Sequence, residues 1–425
     1  MLWILLISLF AYLLVGTPLA FTLGISSLLA LIKEGTVPLS VVTQRMFVAV
    51  DSFALLAIPL FILAGELMNT GGIMHRLVNF ADKLVGHIVG GLAHVVIVTN
   101  MIMAGISGSA AADAAATGSL LIPSMIKRGY DKSFAGAISA AASTIGPIIP
   151  PSIPMVVYGS IANVSIGKLF LGGFIPGVIM GLFLMVVSYF ISKKRGYPRE
   201  ERASFRDILK SFIDSFWALV MPLIILGGIL GGVFTATEAA AVAVVYAYII
   251  GTFVYREIKP NDLPRIFMNS AVSTATVMLI IATANVLGWV LSYERIPEAI
   301  TNLFLSISSQ QWVILLLINI VLLILGCFMN PTAIIIVMIP FFMPLIHRLG
   351  INPIHFGLIV AINTAIGQLT PPVGVCMFIS CGIAKITMAE FTRECLIFIL
   401  ALVVVLLLVT YIPSLVLLLP NLLMP

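Results

Sequence analysis

Residues 105–155 and 326–376 are one passage written twice. A shift of 221 positions, without a gap, lays Gly105 on Gly326, Pro123 on Pro344, Gly129 on Gly350 and Gly136 on Gly357. It also lays Gly146 on Gly367 and Pro150-Pro151 on Pro371-Pro372. Seven Gly or Pro positions coincide, where composition alone predicts roughly 0.5. Gly and Pro set backbone shape more than they fill space, so the duplication preserves two copies of one unusual backbone. In an apolar chain, paired segments interrupted by Gly and Pro point to the substrate site of a secondary transporter.

The chain is apolar enough for that reading. Of its 425 residues 61% are hydrophobic and 9% charged, with a mean hydropathy of +1.18. Apolar stretches of about 20 residues recur from end to end, which excludes a soluble enzyme built on a large buried core. The formal charge of +5 sits in short loops, as positive-inside bias requires and nucleic-acid binding does not. Cys327, Cys376, Cys381 and Cys395 make no CxxC pair and lie in or beside apolar segments; they read as small apolar residues, not as metal ligands or disulfides. The first stretch, from Met1, lacks a basic leader and a cleavage site and reads as a retained span.

Spans are expected near 2–32, 47–69, 88–103, 133–162, 169–192, 217–255, 267–292, 311–325, 355–384 and 394–419. The stretches 104–126 and 326–346 carry small residues, an Asp or Asn, and prolines, and read as re-entrant hairpins. The 193–210 loop holds seven basic and three acidic residues and is the expected cytoplasmic loop, so the first hairpin opens from the cytoplasm. An inverted repeat requires an odd number of crossings before the second hairpin. The long stretches 2–32 and 217–255, broken at Gly16-Thr17-Pro18 and at Gly231-Gly232, are each expected to cross once. The expected architecture is therefore one all-α polytopic unit, 1–425. Its two inverted repeats, 1–210 and 211–425, each carry a hairpin (104–126, 326–346) and an unwound helix (133–162, 355–384).

The chemistry concentrates in the duplicated passages. In GISGSAAADAAATGSLLIP, Ser107-Gly108-Ser109 reads as the hairpin tip. Its hydroxyls can ligate a cation or bond an anion, although small residues also serve plain helix contacts. Asp113 is an ionisable group in an apolar stretch, which is costly and usually functional; capping the return helix is its other use. In STIGPIIPPSIP, Pro147, Pro150, Pro151 and Pro154 cannot share one continuous helix. The chain must unwind where it is buried or lines a cavity. Freed carbonyls suit a hard cation such as Na⁺, and the following helix N-terminus suits an anion. The second copy places Asn330 at the position of Ser109 and Thr370 at that of Ile149, and has no acid matching Asp113. Two similar pockets imply two cation sites flanking one substrate site. The substrate is expected against Ser107, Ser109, Asp113, Pro150, Pro151, Ser152, Asn330, Pro371, Pro372 and Gly374. Na⁺ is expected against Ser107, Ser109, Gly146, Ile149 and Pro150, and against Asn330, Thr332, Gly367 and Thr370.

Other signals are weaker. Asp51-Ser52 reads as a helix cap, Arg45 as a boundary anchor or an anion lure, and Glu66 and Glu238 as caps or proton sites. The histidines show no metal spacing, and no nucleophile–base set suggests an enzyme.

GISGSAAADAAATGSLLIP, IGPIIPPSIP and GQLTPPVG, with DSFALLAIPLFILAGELMNTGGI at 51–73, resemble the large membrane subunit of the tripartite ATP-independent periplasmic (TRAP) transporters. The resemblance runs over essentially the whole chain. It implies a multi-pass protein of the bacterial inner membrane and a Na⁺-driven importer with an elevator mechanism, within a wider ion-transporter superfamily. It implies two partners, a small four-helix membrane subunit on a separate chain and a periplasmic substrate-binding protein. It implies carboxylate substrates, such as C4-dicarboxylates, sialic acids, keto-acids or sugar acids. The alternatives are a stand-alone Na⁺/carboxylate symporter of the same superfamily, an intramembrane enzyme and a passive channel.

Overall fold

The duplication extends far beyond the passages that reveal it. The computed structural model describes residues 1–424, and helices with short connections make up all of the described structure. Under the same shift, Ala110–Lys127 coincides end to end with Pro331–Arg348, and Lys132–Ser143 starts where Pro353–Gly367 does. Ile153–Ala162 answers Val375–Ala384, and Ile166–Arg195 answers Met388–Tyr411. Outside those passages, Leu19–Glu34 answers Ala236–Ile249 and Ile73–Val85 answers Ile296–Ile307. Contacts cross between the halves in matched pairs. Ala110–Lys127 packs on Val375–Ala384, and Pro331–Arg348 packs on Ile153–Ala162. Ala57–Thr70 packs on Ala236–Ile249, and Leu19–Glu34 packs on Leu263–Tyr293. Such an exchange of partners is the signature of a pseudo-two-fold axis.

The two broken helices run antiparallel. The first ends where the second begins, for the Tyr158 hydroxyl donates to the Pro353 carbonyl at 2.6 Å. The first begins where the second ends, for Gly136 lies against Ala384 and Ile386. At that same end Arg195 bridges Asp131 at 3.0 Å and Glu394 at 2.7 Å. The halves are therefore inverted. Ile166–Arg195 is 30 residues long, about 45 Å at 1.5 Å per residue, ample for a bilayer. It exposes Leu182, Val186 and Phe190, and Met388–Tyr411 exposes Leu396, Leu400 and Val404. Both stripes repeat every four residues, so each helix turns one apolar ridge to lipid.

Contacts at the basic loops fix the sidedness. Helix Ile73–Val85 touches two of these loops: the Glu200 N–H donates to the Gly86 carbonyl at 3.0 Å, and Arg76 meets Glu257 at 3.6 Å. Residues 196–204 and 255–260 thus share a face, the one rich in Lys and Arg, which is the cytoplasmic face.

This overturns the single broken crossing expected at 217–255. Phe205–Leu230 and Ala236–Val254 are each long and apolar enough to span. They lie side by side, with the Tyr255 hydroxyl donating to the Asp214 carbonyl at 3.2 Å. Gly231-Gly232 is a turn between two crossings, and Glu238 closes a capping box with Thr235 at the start of the second. The stretch 2–32 is likewise a helical hairpin, Leu2–Leu14 and Leu19–Glu34, whose ends meet at Met1 N and Glu34, 3.9 Å apart. A second correction compensates for the first. The stretches 88–103 and 311–325 are not crossings but the incoming arms of the hairpins, Gly91–Ser107 and Gln311–Gly326. Each hairpin is therefore about twice as long as 104–126 or 326–346 suggested. Three crossings now separate the cytoplasmic loop from the second hairpin: Phe205–Leu230, Ala236–Val254 and Pro260–Tyr293. The count is still odd. Asp51-Ser52 makes no side-chain cap.

Candidate functional site

Both hairpin tips are shaped by the same device. Gly108 turns the first in the left-handed region at φ 60°. The Ser109 hydroxyl then accepts the Ala112 N–H at 3.4 Å and starts the return helix. In the second tip the Asn330 carbonyl oxygen accepts the Ala333 N–H at 2.8 Å. Each tip rests on the unwound segment of its own half. A Cβ on Gly108 would stand 2.6 Å from the Pro151 carbonyl oxygen, and one on Gly326 would stand 2.8 Å from Gly367 Cα. Only glycine permits these approaches. Both Pro150–Pro151 and Pro371–Pro372 bonds are cis.

Between the tips lies a cavity of about 340 Å³. Ser107, Ser109, Asn330 and Thr332 line it, as do Pro147, Pro154 and Gln368. Its opposite wall is Gly65, Glu66 and Asn69 from Ala57–Thr70, with Ser273 and Val277 from Leu263–Tyr293. Four helices begin at its surface. Ala110, Ile153, Pro331 and Val375 are the first residues of Ala110–Lys127, Ile153–Ala162, Pro331–Arg348 and Val375–Ala384, and all four line the cavity. Each N-terminus brings the positive end of a helix dipole and N–H groups without intrahelical partners. Four together make a place for an anion.

The remaining expected residues stand behind the tips. Pro150, Pro151 and Ser152 are buried and do not line the cavity. Ser152 instead caps its helix, accepting the Met155 N–H at 3.2 Å and donating to the Pro147 carbonyl at 2.6 Å. Ile149 packs on Gly177, and Gly374 is buried against the carbonyls of Gln368 and Thr370. Pro371 and Pro372 are exposed away from the cavity. At both breaks the doubled proline carries the chain past the tip, and only Pro147 and Pro154 on either side of the first break reach the cavity. The helix start beyond each break takes the place of the doubled proline there. Thr370 donates to the Gly367 carbonyl at 2.7 Å and meets the Cys327 thiol at 3.1 Å, which ties the second break to its tip.

Asp113 does not cap its helix, since Ser109 does. It is fully buried, and neither carboxylate oxygen has a hydrogen-bond partner. It lies over Gly146, whose hydrogen faces Asp113 Oδ2 so closely that a methyl group would collide there. An unpaired buried carboxylate costs several kcal/mol. In the second half Ile334 takes this place, while the Asn363 Oδ1 is buried and unpartnered beside Asn319. Among the described residues no three His, Cys, Asp or Glu side chains group as for a transition metal; the donors at hand are hard oxygens. Asn69, Gln368, Ser273 and Asn363 were missed in the sequence. Ile62, Glu66 and Asn69, at i, i+4 and i+7, carried a legible signal, because they put an acid and an amide on one face of an apolar helix.

Comparison with known proteins identifies the family. Residues 6–415 match the family described as the DctM component of the tripartite ATP-independent periplasmic transporter. The chain is 43% identical to the sialic acid TRAP transporter large permease protein SiaM of Vibrio cholerae, over 96% of this chain and 95% of that one. It is 42% identical to the C4-dicarboxylate TRAP transporter large permease protein DctM of Pseudomonas aeruginosa, over 94% of each. It is 43% identical to the isethionate TRAP transporter permease protein DctMQ of Oleidesulfovibrio alaskensis over 95% of this chain, and spans 64% of that longer protein. In fold it is similar to the YdaH transporter of Alcanivorax borkumensis, with a TM-score of 0.65 at 12% identity, over 87% of this chain and 86% of that one. The chain belongs to the DctM family of tripartite ATP-independent periplasmic transporters: it is a large, multi-pass permease subunit of the inner membrane, and not an enzyme.

Proposed function

We propose that this subunit imports small organic anions, carboxylates above all, by coupling their movement to Na⁺ through an elevator mechanism. The convergence of four helix N-termini on one cavity between the tips carries this reading. Such a site holds a carboxylate or sulfonate without needing a fixed cationic side chain. The relatives' names, sialic acid, C4-dicarboxylate and isethionate, support the anion class and do not choose within it. Na⁺ supplies what Asp113 lacks. In the first half it would sit among Asp113, Ser107 and the unwound backbone near Gly146. In the second it would use neutral oxygens near Asn330, Thr332, Gly367, Thr370 and Asn363.

The division of the cavity wall supports an elevator. Hairpins and broken helices pack as one block, while Ala57–Thr70 and Leu263–Tyr293 form the facing wall. A block that slides along such a wall carries its cavity from one membrane face to the other. The partners are a periplasmic binding protein and a small membrane subunit; the extra length of the DctMQ relative fits a fused second component there.

Uptake by proteoliposomes tests the reading, with N-acetylneuraminate, succinate and isethionate as probes. The expected result is uptake of one probe that needs both partners and an inward Na⁺ gradient. Uptake at full rate by this chain alone would make it a stand-alone symporter, and flux that never saturates would make it a channel.

A further inference from the structure

A larger cleft, of about 490 Å³, lies outside the central cavity. Its walls are Arg45 and Ser52 on one side, Ser160 on the first broken helix, and Asn285, Trp289 and Ser292 near the end of Leu263–Tyr293. It opens on the periplasmic face. Ser160 stands close to Ile166, the end of Ile166–Arg195 opposite its basic terminus, and Trp289 lies at the end of Leu263–Tyr293 remote from the 255–262 loop, which carries Arg256 and Lys259. The cleft also lies on the path to the hairpin tips. Pro154, Val277 and Thr332 line the central cavity, and Val157, Ile281 and Ile336 line the cleft. On three helices at once, the two spaces are one turn apart.

Arg45 is the single charged residue lining this cleft among the described residues. The neighbouring acids in sequence, Asp51 and Glu294, do not line it. The guanidinium lies over the Trp289 ring at 5.6 Å from its centroid. It takes part in no salt bridge there. A cation–π contact with the indole biases the guanidinium toward the ring and leaves its N–H donors free for a bidentate oxyanion. Asn285, Ser52, Ser160 and Ser292 supply neutral donors around it. An arginine that merely anchors the chain to lipid would extend outward instead of lining a cleft beside an indole.

We propose that this cleft is an outer oxyanion site, distinct from the central cavity. In it Arg45, held by Trp289, takes the carboxylate or sulfonate of the incoming solute before that solute reaches the tips. The proposal rests on the import of organic anions argued above.

Trp289 reports on the site directly. The full chain, with Trp3→Phe, Trp217→Phe and Trp312→Phe, is placed in phosphatidylcholine nanodiscs and titrated with succinate, N-acetylneuraminate and isethionate. At least one should change the Trp289 emission saturably. Arg45→Gln should weaken that binding at least tenfold, and Arg45→Lys should restore part of it. No response, or an equal response in Arg45→Gln, overturns the site. A response that follows added phosphatidylglycerol and not the soluble anion identifies a lipid anchor and also overturns it. Uptake separates the two readings. Arg45→Gln should raise the KM for uptake with kcat unchanged. Unchanged KM with intact uptake removes the outer site and leaves the transporter, whereas Arg45-dependent binding without uptake of any probe keeps the site and removes the transport reading.

Discussion

On the proposed reading, Asp113 is the residue where stability and function pull apart. Buried and unpaired, it weakens the fold unless a cation joins it. Asp113→Asn should therefore leave the empty protein as stable or more so, while raising the Na⁺ concentration for half-maximal uptake at least tenfold, a coupling of about 1.4 kcal/mol. Thermal unfolding and Na⁺-dependent uptake of the same variant check both halves; loss of stability with unchanged Na⁺ dependence would make Asp113 structural. The neighbouring glycines behave differently from each other. Gly146→Ala drives a methyl group into the movable Asp113 carboxylate, so it should mimic Asp113→Asn in uptake. Gly367→Ala meets Gly326 backbone at 2.5 Å, which cannot give way, and should cost about 1–3 kcal/mol of stability as overpacking. The tip serines and Asn330 stood out in the sequence because small polar residues in an apolar hairpin have few uses, and the fold brings them to one cavity. Asp113 was legible as exceptional, but its place behind the tip was not. Nothing in its own stretch says that it leans on Gly146, a residue 33 positions away. The doubled prolines marked the breaks in the sequence, but it is the helix starts beyond them, Ile153 and Val375, that line the cavity.

At the scale of elements, side-chain caps from Ser109, Ser152 and Asn330 set where three of the cavity's helices begin. Ser152→Ala removes the cap of Ile153–Ala162 and should cost about 1 kcal/mol in stability. It should also misplace an N-terminus of the cavity, so uptake should show a raised KM; a normal KM would detach that helix start from the substrate. Hydropathy alone could not tell a hairpin arm from a crossing, since Gly91–Ser107 and Gln311–Gly326 are as apolar as any span. Nor could it tell one kinked crossing from two at Gly231-Gly232. Contacts between distant segments, such as Tyr255 with Asp214, decide that, and no local pattern encodes them. The inversion was expected from the repeat, but its odd count of crossings held only because two miscounts cancelled, one crossing too few at 217–255 and one too many at 311–325. Single cysteines at Lys259 and Arg128 should label from the cytoplasmic side, and one at Arg348 from the periplasmic side. Labelling of Arg128 and Arg348 positions from one side would contradict the antiparallel halves.

For the whole molecule, the pseudo-two-fold axis is what would let one cavity serve both faces under the proposed elevator. Each half contributes a tip and a helix start beyond its break, so the binding surface is shared across the axis and the block around it can move without being taken apart. The halves are not chemically equal, since Asp113 has only Ile334 for a counterpart. The cation sites should therefore differ in strength, with the first tighter. The most direct measurement is a density map of the complex with both partners, at saturating Na⁺ and with whichever solute supports uptake. Solute density should lie between the tips, against the starts of all four helices, with a cation beside Asp113. Solute density away from both tips, or Asp113 closed on a protein group with no cation beside it, would contradict the account.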